Sequence, residues 1–494
     1  MAVTRPKNII FDIGDVFCSW TPPTTPTISP KLLKEFLDSP TWHAYDCGSF
    51  GQEECYTRLA EQFGVAAADI AHAFQRARDS LAQEKVLVDT ILELRRAHPE
   101  LKVFAMSNIS GPDWAYLKKK EFNWEIFDRV FTSCEAGMSK PDLRFYRLVL
   151  EQANASPSET VFVDDKLENV IAARSLGVTG IVCENSAEVR RKLLNLLSDP
   201  VQRGKEWLQR NKKTLYSQTD NGVVVRDNFA QLLAFEVTGD LDLFELRYHD
   251  RTWNYFIDTL EGFPNDVDTT SYAYKLLPLD PKMAHSIIDE MLSSKGLTGD
   301  GILKVYFYPG RARTDPTVCI NALRLLYKYG RGNEEQVKPT KDWIHNVLFY
   351  RAYLQGTRYY HSPDTFLYFF ARLLAENPGS DMYRSTAALL QERLRERTNV
   401  QSDALELGMR IVACHLMGIR DDLDLVQLLD MQAEDGSFEM GYLCMYGKTG
   451  VKLGHRGLTT ALAIRAVEAS VPSKSSSANQ EMGVHRGRSS LKRL

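Results

Sequence analysis

At 494 residues, with 44% apolar and 25% charged residues, the chain is long enough for two or three globular domains with hydrophobic cores. Its formal charge of −4 gives no electrostatic reason to expect a nucleic acid as partner. No apolar stretch approaches the roughly 18 residues that a membrane span requires. The first apolar run, NIIFDIGDVF, is interrupted by Asp12 and Asp15, unlike a signal peptide. The eight cysteines lack zinc-ligand spacing, so we expect free thiols in a reducing compartment. Together these features predict a cytoplasmic protein with no integral membrane segment.

The first part of the chain predicts an α/β domain with a mainly parallel, doubly wound sheet, placed at residues 1–185. Short apolar runs such as NIIFDI, KVFAMS and TVFVDD alternate with helical patterns such as KVLVDTILELRRA. That alternation is typical of buried strands joined by helices. Residues 22–98, between the first two long strands, show helical patterns only, and we expect them to form a helical cap over one sheet edge.

The rest of the chain predicts helices. Residues 186–216 are charged and helical in pattern, and we interpret them as a connector. Residues 217–470 repeat a helical period, as in INALRLLYKYG and DTFLYFFARLLAE, which predicts an all-α domain of helical hairpins. Residues 471–494 are Ser-rich and basic with few large apolar side chains, a composition typical of disorder.

Polar side chains follow several predicted strands of the first domain. Ligands collect at the carboxyl ends of parallel strands, so these side chains should meet in one crevice. A carboxylate nucleophile, a hydroxyl, a cation and an acidic pair are the parts of a Mg²⁺-assisted phosphoryl site. The alternative is that the acids only cap the helices that follow the strands. The residues are Asp12, Ser107, Asn108, Lys140, Asp164 and Asp165.

In order and spacing, these motifs resemble the haloacid dehalogenase-like hydrolase superfamily over about residues 5–185. The resemblance implies that Asp12 is the nucleophile, that Ser107 and Asn108 contact the phosphoryl group, and that Lys140 neutralises developing charge. It also implies a Mg²⁺ cofactor, with the ligands drawn from Asp12, the Gly14 carbonyl, Asp164 and Asp165.

The match departs from the family pattern at Gly14. Family phosphatases usually carry a second aspartate there as general acid, whereas this chain places Asp15 one residue later. The source of the leaving group's proton is therefore open. A competing interpretation takes DDKLE, residues 164–168, as the aspartate-rich motif of ionising terpene synthases. That motif belongs on a long helix, and DDKLE follows the strand-like run TVFV, which favours the hydrolase.

The stretch DVDTT, residues 266–270, allows three interpretations: a metal site, a solvated turn or a buried Brønsted acid. A Mg²⁺ site would need more carboxylates nearby, and a solvated turn is rarely surrounded by large aromatic residues. Burial disfavours the carboxylate form, so one of the two acids should keep its proton at neutral pH. Such an acid can protonate an alkene if aromatic faces hold the resulting cation away from water. The flanking aromatics are Trp253, Tyr255, Phe256, Phe263, Tyr272 and Tyr274.

DVDTT resembles the motif of class II terpene cyclases, which begin cyclisation by protonating a double bond. The resemblance implies an α/α-barrel-like domain in which Asp268 donates the proton, Asp266 orients or re-acidifies it, and Thr269 contacts substrate. With the fused dehalogenase-like domain, most of the chain resembles the drimane sesquiterpene cyclases of fungi and bacteria.

A prenyl diphosphate needs cations beside an apolar pocket. YFYPGRARTDP supplies Arg311 and Arg313, and QGTRYYHSPDTFLYFF supplies Arg358. A surface salt bridge is the alternative for each arginine. We assign no role beyond structure to His345, His361 and His455.

These resemblances imply a function for each domain. The second domain would convert farnesyl diphosphate into a bicyclic drimane-type diphosphate, and the first would remove phosphate to leave the alcohol. Class II chemistry leaves the diphosphate intact, which explains an attached phosphatase. The alternatives are a cyclase with an inactive first domain, a phosphatase with a helical accessory domain, and a non-catalytic scaffold.

Overall fold

The structure, a computed structural model, describes residues 5–21, 27–258 and 262–471. Two compact units meet in sequence between Ser198 and Asp199. The tail predicted to be disordered lies outside the described residues, apart from Val471. Within the described ranges, no helix has both the length and the apolar character needed to cross a membrane.

The first unit is built on a five-stranded parallel sheet in the order β5-β4-β1-β6-β7. Side chains of β1 alternate between its faces, so Ile9 and Phe11 pack on one side and Ile10 on the other. The predicted doubly wound sheet is confirmed. The elements are β1 (Asn8–Phe11), β2 (Cys18–Ser19), α1 (Pro30–Leu37), α2 (Pro40–Asp46), α3 (Gln52–Phe63), α4 (Ala67–Ser80), β3 (Ala82–Gln83), α5 (Lys85–Ala97), β4 (Lys102–Ser107), α6 (Gly111–Leu117), β5 (Arg129–Thr132), α7 (Ser133–Ala136), α8 (Leu143–Gln152), β6 (Thr160–Asp164), α9 (Leu167–Ser175), β7 (Thr179–Val182) and α10 (Ser186–Leu197).

Helices α1 to α4 pack around a hydrophobic core of their own, between the short antiparallel strands β2 and β3. Helix α5 also falls within residues 22–98, the range predicted for the cap. Its Leu87 and Ile91 instead pack with Phe11 of β1, so α5 covers a face of the sheet. Residues 22–26 of that range lie outside the described residues.

The second unit is helical, as predicted, with one addition. A four-stranded antiparallel sheet in the order β10-β11-β8-β9 lies beside its helices. These strands are two to four residues long, too short to show a two-residue period in the sequence. The elements are α11 (Pro200–Arg210), β8 (Ser217–Thr219), β9 (Val224–Val225), α12 (Asn228–Thr238), α13 (Val267–Leu276), α14 (Pro281–Met291), α15 (Pro316–Lys328), α16 (Lys338–Phe349), α17 (Pro363–Glu376), α18 (Asp381–Arg395), α19 (Ala404–Leu416), α20 (Asp422–Asp430), β10 (Tyr442–Met445), β11 (Lys452–Gly454) and α21 (Arg456–Ser470).

Residues 186–216, interpreted from sequence as a connector, hold two helices that belong to different units. Val189 and Leu193 of α10 join the core beside the parallel sheet. Trp207 and Leu208 of α11 join the core of the second unit. Both helices are amphipathic, and each buries its apolar face within its own unit.

Candidate active sites

Three acidic residues meet at the carboxyl edge of the sheet in the first unit. Asp12 follows β1, while Asp164 ends β6 and Asp165 follows it. One carboxylate oxygen from each lies within 4.8 Å of the others. β1 and β6 are neighbouring parallel strands, so their carboxyl ends coincide. Ser107 ends β4, the neighbour of β1 on its other side.

Lys140 lies between two of these acids. Its Nζ is 2.8 Å from Asp12 Oδ1 and 2.6 Å from Asp164 Oδ2. Burial alone would lower the pKa of Lys140, but the charges of Asp12 and Asp164 outweigh it and raise that pKa. Asn108 fixes the lysine backbone, because its Oδ1 accepts from the Lys140 N–H at 2.7 Å and its Nδ2 donates to the carbonyl at 2.9 Å.

The acidic cluster carries more negative charge than Lys140 can neutralise. Burial raises the pKa of Asp12 to about 7, and Lys140 offsets only part of that effect. One ammonium group neutralises one of the three acids, so full ionisation of the cluster would leave an excess of two negative charges. Carboxylate oxygens are the donors that Mg²⁺ prefers, so the residues present fit a divalent cation.

A cavity of about 270 Å³ opens over this edge of the sheet. Asp12, Gly14, Ser107, Lys140 and Asp165 form its polar floor, whereas Asp164 is fully buried behind it. The cap supplies much of the remaining lining, with the apolar side chains of Leu37, Trp42 and Phe74 beside the polar ones of His43, Asp46 and Arg78. Other apolar lining residues include Trp20, Leu81 and Leu117.

DDKLE spans the end of β6 and the start of the nine-residue helix α9. Its acids therefore do not share one face of a long helix. The competing interpretation as an ionising terpene synthase motif is wrong.

DVDTT begins helix α13 in the second unit. Asp266 is the N-cap, and its Oδ1 accepts a bond of 2.7 Å from the Thr269 N–H. The Thr270 hydroxyl donates to the Asp266 carbonyl at 2.7 Å and accepts from the Trp253 N–H at 2.8 Å. Asp266 and Asp268 are 5% and 6% exposed, which excludes a solvated turn.

Two residues from other elements hold the Asp268 carboxyl. Asn321 of α15 donates to Oδ1 at 2.9 Å, and the hydroxyl of Tyr360, just before α17, bonds to Oδ2. Burial raises the pKa of Asp268 to about 8, and the nearby Asp266 adds to this, while Tyr360 and Asn321 oppose it. At neutral pH the protonated form of Asp268 therefore predominates.

Asp266 is also shifted toward its neutral form. Burial raises its pKa to about 7, although bonds from Thr269 lower it. Its Oδ2 is buried without a described hydrogen-bond partner. The Asp268 backbone N–H also bonds to it and lowers its pKa. Among the described residues no hydrogen bond joins the two carboxyl groups, and the charge of Asp266 raises the pKa of Asp268.

Both acids line a cavity of about 450 Å³ in the second unit. Its walls are mainly aromatic, and three cationic side chains reach it. Arg311 lies 5.7 Å and 5.5 Å from the ring centroids of Phe263 and Tyr306. Arg313 Nη1 is 3.5 Å from the Tyr359 hydroxyl. The lining includes Phe229, Tyr255, Phe256, Phe263, Tyr306, Tyr359, Tyr360 and Tyr446, with Arg311, Arg313 and Lys448.

The structure separates the residues predicted from sequence into two groups. Arg311 and Arg313 line the cavity with Asp266 and Asp268, whereas Thr269 and Arg358 are not among its lining residues. Sequence reasoning missed Asn321 and Lys448. Asn321 had a weak signal, as a polar residue within the apolar helix INALRLLYKYG, but Lys448 had none.

Comparison with known proteins found relatives of both units. A model of the haloacid dehalogenase-like hydrolases matches residues 7–177, and one of the sesquiterpene cyclase astC-like C-terminal domain matches residues 201–329. Drimenol cyclase drtB of Aspergillus calidoustus is 41% identical over 469 residues, covering 94% of this chain and 88% of that protein. The chain belongs to the drimenol cyclase family.

Drimenol cyclase family membership confirms the resemblance inferred from DVDTT and the strand-end acids. The chain is also 36% identical over 191 residues to sesquiterpene phosphatase astK of Aspergillus oryzae, covering 39% of this chain and 96% of that protein. The type II terpene cyclase MstE of Scytonema is 13% identical, with a TM-score of 0.42, over 56% of this chain and 98% of that one. That structural likeness is too distant to bear on chemistry.

Proposed function

We propose that the second unit cyclises farnesyl diphosphate to a bicyclic drimane-type diphosphate, and that the first unit removes phosphate to yield the alcohol. The observation that carries the cyclase assignment is Asp268, a buried carboxyl that favours its protonated form and faces an aromatic cavity.

Cyclisation begins with proton transfer from Asp268 to the terminal alkene carbon. The bond electrons of successive alkenes then close two rings, and loss of a proton from the final cation leaves an isomer of the substrate. Aromatic faces around the cavity stabilise the cation and exclude water. Arg311, Arg313 and Lys448 supply the positive charge that the diphosphate requires.

In the first unit, Asp12 attacks the terminal phosphorus of the diphosphate and, in a second round, the phosphorus of the resulting monophosphate, while Lys140 and Ser107 stabilise the phosphoryl oxygens. Asp12, Asp164, Asp165 and the Gly14 carbonyl are the groups that would hold Mg²⁺. When bound, Mg²⁺ neutralises charge on the transferring phosphoryl group. A cyclase with an inactive first unit is the second candidate, and the missing carboxyl at Gly14 favours it.

Purified protein incubated with farnesyl or geranylgeranyl diphosphate and Mg²⁺ tests both activities. Products are compared by gas chromatography and mass spectrometry, with and without an added phosphatase. We expect a drimane-type alcohol without the added enzyme. Cyclic product seen only after added phosphatase would favour the second candidate, and linear alcohol alone would rule out cyclisation.

A further inference from the structure

The proposed phosphatase reaction of the first unit needs a proton donor for the leaving alcohol, and the segment after the nucleophile Asp12 lacks one at Gly14. Release of an alcohol from a monophosphate produces a strongly basic alkoxide unless an acid protonates the leaving oxygen. Gly14 has no side chain for this purpose, and a Cβ built there meets no atom within 4 Å. The position is open, so the acid must come from elsewhere in the same cavity.

Several titratable groups of the cavity are poorly suited to proton donation. Asp113 is engaged in a 2.8 Å ion pair with Arg78, and its Oδ2 accepts a bond of 2.6 Å from the Ser110 hydroxyl. Burial raises the pKa of the Cys18 thiol to about 12, which makes it a weak acid. Asp15 is exposed, and its Oδ2 accepts a bond of 3.1 Å from the Trp20 indole.

Asp46 is differently placed. It is the last residue of α2 in the cap, is 7% exposed and lines the cavity together with Asp12. Its carbonyl accepts a bond of 2.7 Å from the Ser133 hydroxyl, whose oxygen accepts a bond of 2.9 Å from the Ile109 N–H. Ile109 lies two residues beyond Ser107, so this chain of bonds ties the Asp46 backbone to the loop that follows Ser107.

A glycine permits this close approach. Gly48, two residues after Asp46, has a φ of 75°, and a Cβ there would lie 3.2 Å from the carbonyl oxygen of Cys134. Any larger residue would be strained and would press the end of α2 away from α7. The position of Asp46 is therefore built into the backbone.

The surroundings of Asp46 favour its neutral form. Burial raises the pKa of Asp46 to about 8, and the charge of Asp113 adds to it, while Lys166, Trp42 and the Ser110 N–H partly oppose it. Cys55 of α3 also faces it and is a thiol at neutral pH, because burial raises its pKa to about 12.

We propose that Asp46 is the proton donor of the phosphatase reaction, in place of the side chain absent at Gly14. The assignment rests on the proposed phosphatase function. As Asp12 bonds to phosphorus and the bond from phosphorus to the alcohol oxygen breaks, Asp46 passes its proton to that oxygen. Its carboxylate then takes a proton from the water that cleaves the aspartyl phosphate, which releases phosphate and restores both side chains.

The test compares leaving groups in the full-length protein. The leaving group of decyl phosphate is a poorly stabilised alkoxide, so its hydrolysis depends on an acid. The leaving group of 4-nitrophenyl phosphate is a stabilised phenolate, so its hydrolysis does not. We expect Asp46→Asn to lower kcat/KM for decyl phosphate by roughly 100-fold or more, and for the aryl phosphate only a few-fold. The wild-type kcat/KM for decyl phosphate should fall above about pH 8, and the variant should lose that limb.

Asp113→Asn is the matched control, since it removes a carboxyl from the same cavity. Like the wild type, this variant should show no selective loss on decyl phosphate. Its alkaline limb should move to lower pH, because the charge that raises the pKa of Asp46 is gone.

Equal losses on both substrates in Asp46→Asn, or wild-type rates on both, would overturn the proposal. The same selective loss in Asp15→Asn, with none in Asp46→Asn, would assign the proton to Asp15. If wild-type protein hydrolyses neither substrate while Asp268-dependent cyclisation proceeds, the phosphatase function itself fails.

Discussion

At the residue scale, the surroundings of Asp268 fit the proposed role of a carboxyl that protonates an alkene. Burial favours the neutral acid, and two hydrogen bonds from Asn321 and Tyr360 fix the direction of its oxygens. The same bonds stabilise the carboxylate once the proton has gone. The surroundings of Asp268 therefore stabilise both charge states that the proposed proton transfer requires.

Replacing Asp268 with Asn should abolish ring formation and leave the fold intact. An amide is nearly isosteric with the carboxyl but cannot deliver a proton, and general acids contribute roughly 100-fold to 10,000-fold. Product analysis with farnesyl diphosphate measures the loss, and thermal unfolding checks the fold. Cyclic product at near wild-type yield would refute the role of Asp268.

Asp266 has both a structural and an electrostatic role, and two substitutions separate them. Asp266→Asn should lower cyclisation severely with little change in stability, because Asn caps a helix as well as Asp. Asp266→Ala should lose the cap as well and cost about 1 kcal/mol in the free energy of unfolding. Denaturant unfolding and product yield are compared. Wild-type cyclisation by Asp266→Asn would remove Asp266 from the reaction.

At the element scale, α13 and α15 are joined at two points one helical turn apart. Asp268 bonds to Asn321, and the Tyr272 hydroxyl accepts from Arg324 at 2.7 Å. Residues three or four apart share a helix face, so the two contacts set the register of the pair. Arg324 is buried and bonds to Glu376 of α17 at 2.6 Å and also to Glu236 of α12. This ion-pair cluster links four helices around the acid.

Asn321→Ala tests whether α15 tunes the acid. The proposed mechanism needs protonated Asp268, so the kcat/KM for cyclisation should fall as the pH rises through about 8. Loss of the Asn321 donor disfavours the carboxylate, so the alkaline limb should move to higher pH while the maximal rate falls about 10-fold. Tyr360→Phe should move the limb in the same direction, since it removes the other donor. A limb unmoved in both variants would contradict this role.

At the scale of the whole molecule, the two chemistries lie in separate units. Every described residue that lines the phosphatase cavity precedes Ser198, and every one that lines the cyclase cavity follows Asp199. Each reaction should therefore be removable without the other.

Asp12→Ala should leave ring formation at the wild-type rate and change the product from the alcohol to the diphosphate. Chelation of Mg²⁺ should likewise slow phosphate release, whereas the proposed proton transfer from Asp268 requires no metal. Liquid chromatography with mass spectrometry, applied to short incubations with farnesyl diphosphate, distinguishes the diphosphate, monophosphate and alcohol products. The same ratio of diphosphate to alcohol from wild type and Asp12→Ala would show that the first unit only supports the second.

Much of both sites could be predicted from sequence because its signals are local. Asp12, Ser107 and Asp164 end runs of buried strand residues, and the parallel sheet then brings those ends together. DVDTT contains both the helix cap and the first turn, so Asp266 and Asp268 could be predicted as a pair from one short segment. The strands of the second unit are too short to show a two-residue alternation, so they could not be predicted.

The sequence by itself determined the two domain types, the strand-end acids and the acid pair of DVDTT, because strand runs, helix caps and motifs involve neighbours in the chain. Only the tertiary structure decided what surrounds those acids. Asn321 and Tyr360 lie 53 and 92 residues from Asp268, and Asp46 reaches the phosphatase cavity through cap packing. Contacts at such separations depend on how whole helices and sheets pack, and no local pattern of side chains encodes that packing.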